Sequence, residues 1–262
     1  MKDLNIVFKI LAVTLVMYFL SPVIFSYASD TKMINESDNL ISAGFVPNVR
    51  SKNKMYVIEY KTQFTIKSSE IFAHNITKLL PIFKPGDVLV INIESPGGAV
   101  SACGHDFDQV RLVQALGVKV VSTTDYIAAS CGYQLASAAD FIIAGSSALI
   151  GNIGVITKMP KKPSNLHIIG STRTKELLAG AHVTSENDVK ILRDNVRRLH
   201  FDFIERVSEK RGDKITDKLA AFGGNIFIGK NALKIGLIDS VNDHGSFIRS
   251  SHMNGYTIIL IK

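Results

Sequence analysis

The sequence predicts an α/β fold with a mostly parallel sheet and crossover helices. Three observations carry that expectation. Strand-like apolar runs alternate with helix-period segments from residue 55 onward, the pattern of crossover units. The run at 88–93 (Val88, Leu89, Val90, Ile91, Ile93) is almost unbroken in apolarity, as a strand covered on both faces requires. A long helix at 185–211 carries a stripe of Val189, Leu192, Val196, Leu199, Phe203 and Val207, the spacing of one buried helical face. With 262 residues, 46% of them apolar, the chain is long enough for one well-buried domain and a short appendage.

The N-terminus reads as an export or anchor segment. Lys2 and Lys9 flank an uncharged stretch from Ile10 to Tyr27, and Ser26-Tyr27-Ala28 offers the small residues a signal peptidase accepts. Residues 1–29 are therefore expected to be a signal peptide or membrane anchor, 30–54 a polar linker and 55–262 the folded domain. Either way the lysines stay cytoplasmic and the domain is translocated.

Within the domain, 55–60 alternates in Val, Ile and Tyr and reads as a strand. Residues 68–80 read as a helix capped by Ser69, with Ile71, Phe72, Ile76, Leu79 and Leu80 near one face. Pro85-Gly86-Asp87 turns the chain into the 88–93 strand. A helix at 101–116 ends at Gly117, and a strand follows at 118–122. A small-residue helix at 130–139 leads to strands at 141–144 and 166–169. After the long helix come short helices at 215–221 and 230–235, then a closing strand at 256–261.

Composition narrows the function. The net charge of +7 is scattered and Trp is absent, whereas a nucleic-acid reader shows a dense basic face with interleaved aromatics. No phosphate loop or metal-ligand cluster stands out, so no cofactor or metal is implied. The two cysteines, Cys103 and Cys131, read first as small buried hydrophobes. In an oxidising compartment they form one pair, and activity then depends on redox state.

Two motifs carry chemistry. Ser95-Pro96-Gly97-Gly98 ends the apolar strand and forces a sharp turn, whose side-chain-free N–H groups can approach a substrate carbonyl closely. About thirty residues on, Ala128-Ala129-Ser130-Cys131-Gly132-Tyr133 presents a serine at a helix start. Read alone, Ser130 is a favoured N-cap; read with the glycine turn, it is a nucleophile for acyl transfer. A serine nucleophile needs a base. Of the seven histidines, His105 is nearest the turn in sequence. A lysine kept neutral by burial also serves, and Lys175 is the candidate. Arg173 is the rival register, and an arginine stays protonated.

These elements resemble the signal peptide peptidase A and SohB family of serine–lysine peptidases, which share the ClpP/crotonase fold. The ordered matches are Ile93 to Gly98, Ala128 to Tyr133, Ala139-Asp140, Ile150-Gly151-Asn152-Ile153-Gly154-Val155, and Gly236-Leu237-Ile238-Asp239, spanning roughly residues 55–242. The resemblance implies Ser130 as nucleophile, Lys175 as general base, and an oxyanion hole from Gly97 or Gly98 with Cys131, where relatives usually have glycine. It also implies peptide substrates such as released signal peptides, and a homo-oligomeric ring. The place implied is the bacterial inner membrane with the domain on the extracytoplasmic side, or the periplasm after cleavage. Two rival readings stay open: a catalytically inactive peptide-binding or scaffold member of the fold, and an acyl-CoA enzyme of the crotonase type.

Overall fold

A computed structural model describes residues 53–158 and 168–261. The segment predicted to be a signal or anchor lies outside them. Among the described residues no helix is long and apolar enough to cross a membrane.

The chain order is β1 (Lys54–Tyr60), α1 (Ile66–Leu79), β2 (Val88–Ile93), α2 (Val100–Ala115), β3 (Lys119–Thr124), β4 (Ile127–Ala129), α3 (Cys131–Ala138), β5 (Phe141–Ala144), β6 (Leu149–Gly151), α4 (Arg173–Leu178), α5 (Glu186–Arg211), α6 (Lys218–Phe222), β7 (Ile226–Ile228), α7 (Gly229–Lys234), β8 (Ser240–Val241), α8 (His244–Met253) and β9 (Thr257–Ile261). Six strands form one sheet in the order β8-β5-β3-β2-β1-β9. Every pairing in it is parallel, as the predicted fold class requires.

All six residues of β2 are buried. It lies between β1 and β3, so its unbroken apolar run is what an interior parallel strand needs. Helices supply the cover: Phe72, Ile76 and Leu79 of α1, Phe107, Val110 and Val113 of α2, and Phe203 and Val207 of α5 join one core with the strands. The α5 stripe is only partly buried, because Leu199 is exposed. The C-terminal end of α5 is tied down by Arg211, whose guanidinium meets Asp239 at 2.7 Å and the Gly236 carbonyl at 2.5 Å.

A smaller sheet, β4-β6-β7, stands beside the main one. Its strands have three residues each, too few to show a period in sequence. Several expectations are corrected. Thr65, not Ser69, caps α1, accepting from the Ser68 N–H at 3.1 Å. Ser69 is buried and donates instead to Asp106 at 2.5 Å. Residues 168–169 of the predicted 166–169 strand are not in a strand, and the remainder lies outside the described residues. The C-terminal stretch before β9 is a ten-residue helix capped by Asp243.

Candidate active site

The glycine turn and the serine meet because β4 is laid alongside Ser95. The Ser95 N–H donates to the Ile127 carbonyl at 2.8 Å, and the Ala129 N–H donates to the Ser95 carbonyl at 3.1 Å. Glu94 fixes the entry to β4: its carboxylate accepts the N–H groups of Asp125 at 2.6 Å and Ile127 at 2.9 Å. A carboxylate holding successive backbone amides pins a turn firmly.

Ser130 follows β4 directly. Its backbone has φ 53° and ψ −121°, a conformation that strains any residue with a Cβ by roughly 1–3 kcal/mol. The surroundings impose it. The Ser130 N–H donates to the Gly151 carbonyl of β6 at 2.8 Å, while its own carbonyl accepts from Gln134 N–H at 2.9 Å and opens α3. Its side chain caps nothing, so the N-cap reading fails. A strained serine on a strand-to-helix turn, with its hydroxyl free of backbone duty, has the form of an exposed nucleophile.

Gly97 faces that serine. Its φ is 117°, and a Cβ there would stand 2.7 Å from Ser130 Cβ and 3.0 Å from Oγ. Glycine is required for the approach itself. Gly98 is equally constrained, since a Cβ would meet the Phe64 carbonyl oxygen. The two glycine amides differ. The Gly97 N–H donates to Ser95 Oγ at 3.2 Å, whereas those of Gly98 and Cys131 have no partner among the described residues. Both residues, with Ser130 and Gly97, line a cleft of about 680 Å³.

Beneath the cleft, α3 is anchored by Tyr133, whose hydroxyl donates to the Leu237 carbonyl at 2.8 Å. Burial pushes that phenol well above its ordinary pKa, so it stays a donor. The sulfurs of Cys103 and Cys131 are joined as a disulfide, which corrects the reading of two separate buried thiols.

The structure does not bring Lys175 to this cleft. It lies in α4, where Leu177 is buried, and two residues away on a helix Lys175 faces outward and is exposed. Arg173 is bound into a different network: its guanidinium meets Asp188 at 2.6 Å and 2.9 Å and the His182 carbonyl at 2.7 Å. His105 is also elsewhere, with Nδ1 2.9 Å from Ser69 Oγ. The basic groups lining the cleft are Lys158 and His200. His200 Nε2 lies 3.1 Å from the Ile153 carbonyl. A carbonyl only accepts, so Nε2 carries the hydrogen and Nδ1 is the nitrogen available as an acceptor. Sequence reasoning missed both groups, for neither sits in a chemical motif. Among the described residues no cluster of His, Cys, Asp and Glu is arranged to hold a metal ion.

The sequence matches the family model described as Peptidase family S49 over residues 113–252, and that of Peptidase family S49 N-terminal over 29–109. It is 25% identical over 201 residues to a probable protease SohB of Haemophilus influenzae, covering 74% of this chain and 56% of that protein. It is 26% identical over 243 residues to a putative protease SohB of Buchnera aphidicola, covering 89% and 66%. It is 32% identical over 187 residues to a protein of Brucella abortus named Na(+)/H(+) antiporter NhaA, covering 68% of this chain and 25% of that one. The chain thus spans a quarter of the antiporter and between half and two thirds of these SohB proteins. Among solved structures, a variant of the 1510-N membrane-bound stomatin-specific protease matches with a TM-score of 0.57 at 18% identity, covering 81% of this chain and 99% of that one. At that identity the likeness shows the fold. The chain belongs to peptidase family S49.

Proposed function

We propose that this member of peptidase family S49 is a serine endopeptidase acting on extended apolar peptides, with signal peptides as one such class. Ser130 Oγ attacks the scissile carbonyl. The oxyanion that forms is held by the N–H groups of Gly98 and Cys131, each such donor being worth about 3 kcal/mol of barrier. Gly97 contributes room rather than a donor. The observation that carries this reading is the strained Ser130, uncapped, with two partnerless amides in the same cleft. The segment following β6 supports the choice of substrate. Asn152, Ile153, Gly154, Val155 and Ile156 line the cleft outside any strand, which suits an added peptide strand.

The base assigned through the family resemblance is Lys175. In one chain its amine lies outside the cleft, so in this reading a second copy in a homo-oligomeric ring, or a shift of α4, delivers it. A second reading rests on the groups already present: Lys158 or His200 takes the serine proton. We place the enzyme at the membrane, on the extracytoplasmic face. The experiment is hydrolysis of an unstructured apolar peptide with fluorophosphonate labelling of the full chain. Ser130→Ala is expected to abolish both. Loss with Lys175→Ala supports the first base; full activity in that variant with loss in Lys158→Ala or His200→Gln supports the second. A wild-type chain that is folded yet neither cleaves nor labels supports a silent peptide-binding relative instead.

A further inference from the structure

The cleft is walled by two helix starts, and neither has an ordinary cap. Ala99 precedes α2 and Ser130 precedes α3, and neither side chain bonds the helix it opens. Ser and Asp caps normally fix such ends. Here a covalent bond stands in their place: Cys131, the first residue of α3, is joined to Cys103 in the first turns of α2, with Cα atoms 5.1 Å apart. Cys131 Sγ also lies 3.5 Å from the Gly98 carbonyl. The bond therefore ties α2, which follows Gly98, to α3, which begins at Cys131, and both of these residues line the cleft with amides that have no partner among the described residues. Both cysteines are almost fully buried, at 1% and 3% exposure, and belong to the lining of that cleft.

We propose that the Cys103–Cys131 disulfide positions the oxyanion-binding amides of Gly98 and Cys131, and that its reduction switches the site to a low-activity state. This rests on the serine peptidase reading. Closing the bond takes two electrons and two protons from the two thiols and passes them to a disulfide oxidant, which becomes two thiols. A dithiol reductant reverses the step. The cysteines are positioning residues; they do not touch the reacting atoms through their sulfurs.

The experiment compares oxidised full-length protein with protein reduced by a phosphine, the two freed thiols being counted by alkylation and mass. Two readouts are taken: kcat and KM on the apolar peptide, and amide hydrogen exchange. Reduction is expected to lower kcat at least fivefold with KM within twofold, reversibly. It should also speed exchange at the hydrogen-bonded amides beside Gly98 and Cys131, those of Ala99, Cys103 and Gln134, while leaving β2 unchanged. Cys103→Ser should match the reduced protein and ignore reductant. Unchanged kcat and exchange with both thiols freed overturns the proposal. Faster exchange throughout β2 also overturns it, because the bond then serves the whole fold. If the oxidised protein neither cleaves nor labels, the peptidase reading fails, and the exchange comparison alone still decides whether the bond positions these amides.

Discussion

The turn at Ser95 to Ala99 and the corner from Gly170 to Asp188 are held by different kinds of bond. The first is built from backbone: amide–carbonyl pairs at Ser95, Phe64 and Ala99, with glycines admitted where a Cβ cannot fit. The second is built from side chains around one guanidinium, Arg173, which reaches Asp188, Glu176, Thr184 and the His182 carbonyl. Backbone pairs between neighbouring segments are short, directional and independent of charge. The ion-pair cluster depends instead on charge, with Asp188 buried and Arg173 partly exposed, so it answers to pH. Half of the proposed catalytic apparatus thus stands on rigid ground, while its expected lysine stands on the adaptable part.

Three perturbations sharpen the contrast, beginning with the most damaging. Gly98→Ala forces a Cβ into the Phe64 backbone and is expected to destabilise the fold by about 3 kcal/mol or more, read as a large fall in denaturation midpoint. Gly180→Ala, in the second region, meets open space at φ 97°, so only its backbone preference is lost, roughly 1 kcal/mol. Comparable losses at the two glycines would erase the distinction.

Next, acid should loosen the corner while the turn holds. The Arg173 guanidinium, then the Thr184 amide, hold the Asp188 carboxyl far below the ordinary carboxylate range. A depressed folded pKa means the stabilisation is whole above the ordinary range and lost as pH falls through the folded value. Amide exchange at Glu176 to Ala179 is expected to rise at strongly acid pH, relative to β2. Arg173→Ala should bring the same loosening at neutral pH, with far-UV circular dichroism intact. If exchange in α4 stays as slow as in wild type, the guanidinium is not the keystone of that corner.

The smallest effect lies under the turn's flank. Asp106 is fully buried, accepts from Ser69 and from Tyr60 at 2.8 Å, and is pushed above the usual carboxylate range chiefly by burial. A raised folded pKa means stability declines as pH climbs from the ordinary carboxylate value through the raised one. Asp106→Asn should flatten that slope in a denaturation series, and an unaltered slope would assign it to other groups.

Much of the scaffold is legible in the chain. The apolar run at β2, the α5 stripe and the glycine turn each follow from residue type and spacing, since strand burial and helix faces are local periodicities. Three-residue strands leave no such trace, and β4, β6 and β7 escape notice although β4 delivers Ser130. The α8 segment, for which no element is predicted, buries Ser246, Phe247 and Ser251, a face too thin to show as a stripe. Ser130 is a particular lesson. Propensity makes a serine before a helix a cap, yet pairing to Gly151 turns its backbone so that it caps nothing.

By itself the sequence determined the α/β class, the motif pair and membership of the family, because these reside in residue order and short-range pattern. Only the tertiary structure decided that Gly97 abuts Ser130, that Cys103 bonds Cys131 across 28 residues, and that Lys175 faces solvent while Lys158 and His200 line the cleft. Those facts depend on which surfaces pack together, and packing joins residues whose separation along the chain carries no signal of their distance in space.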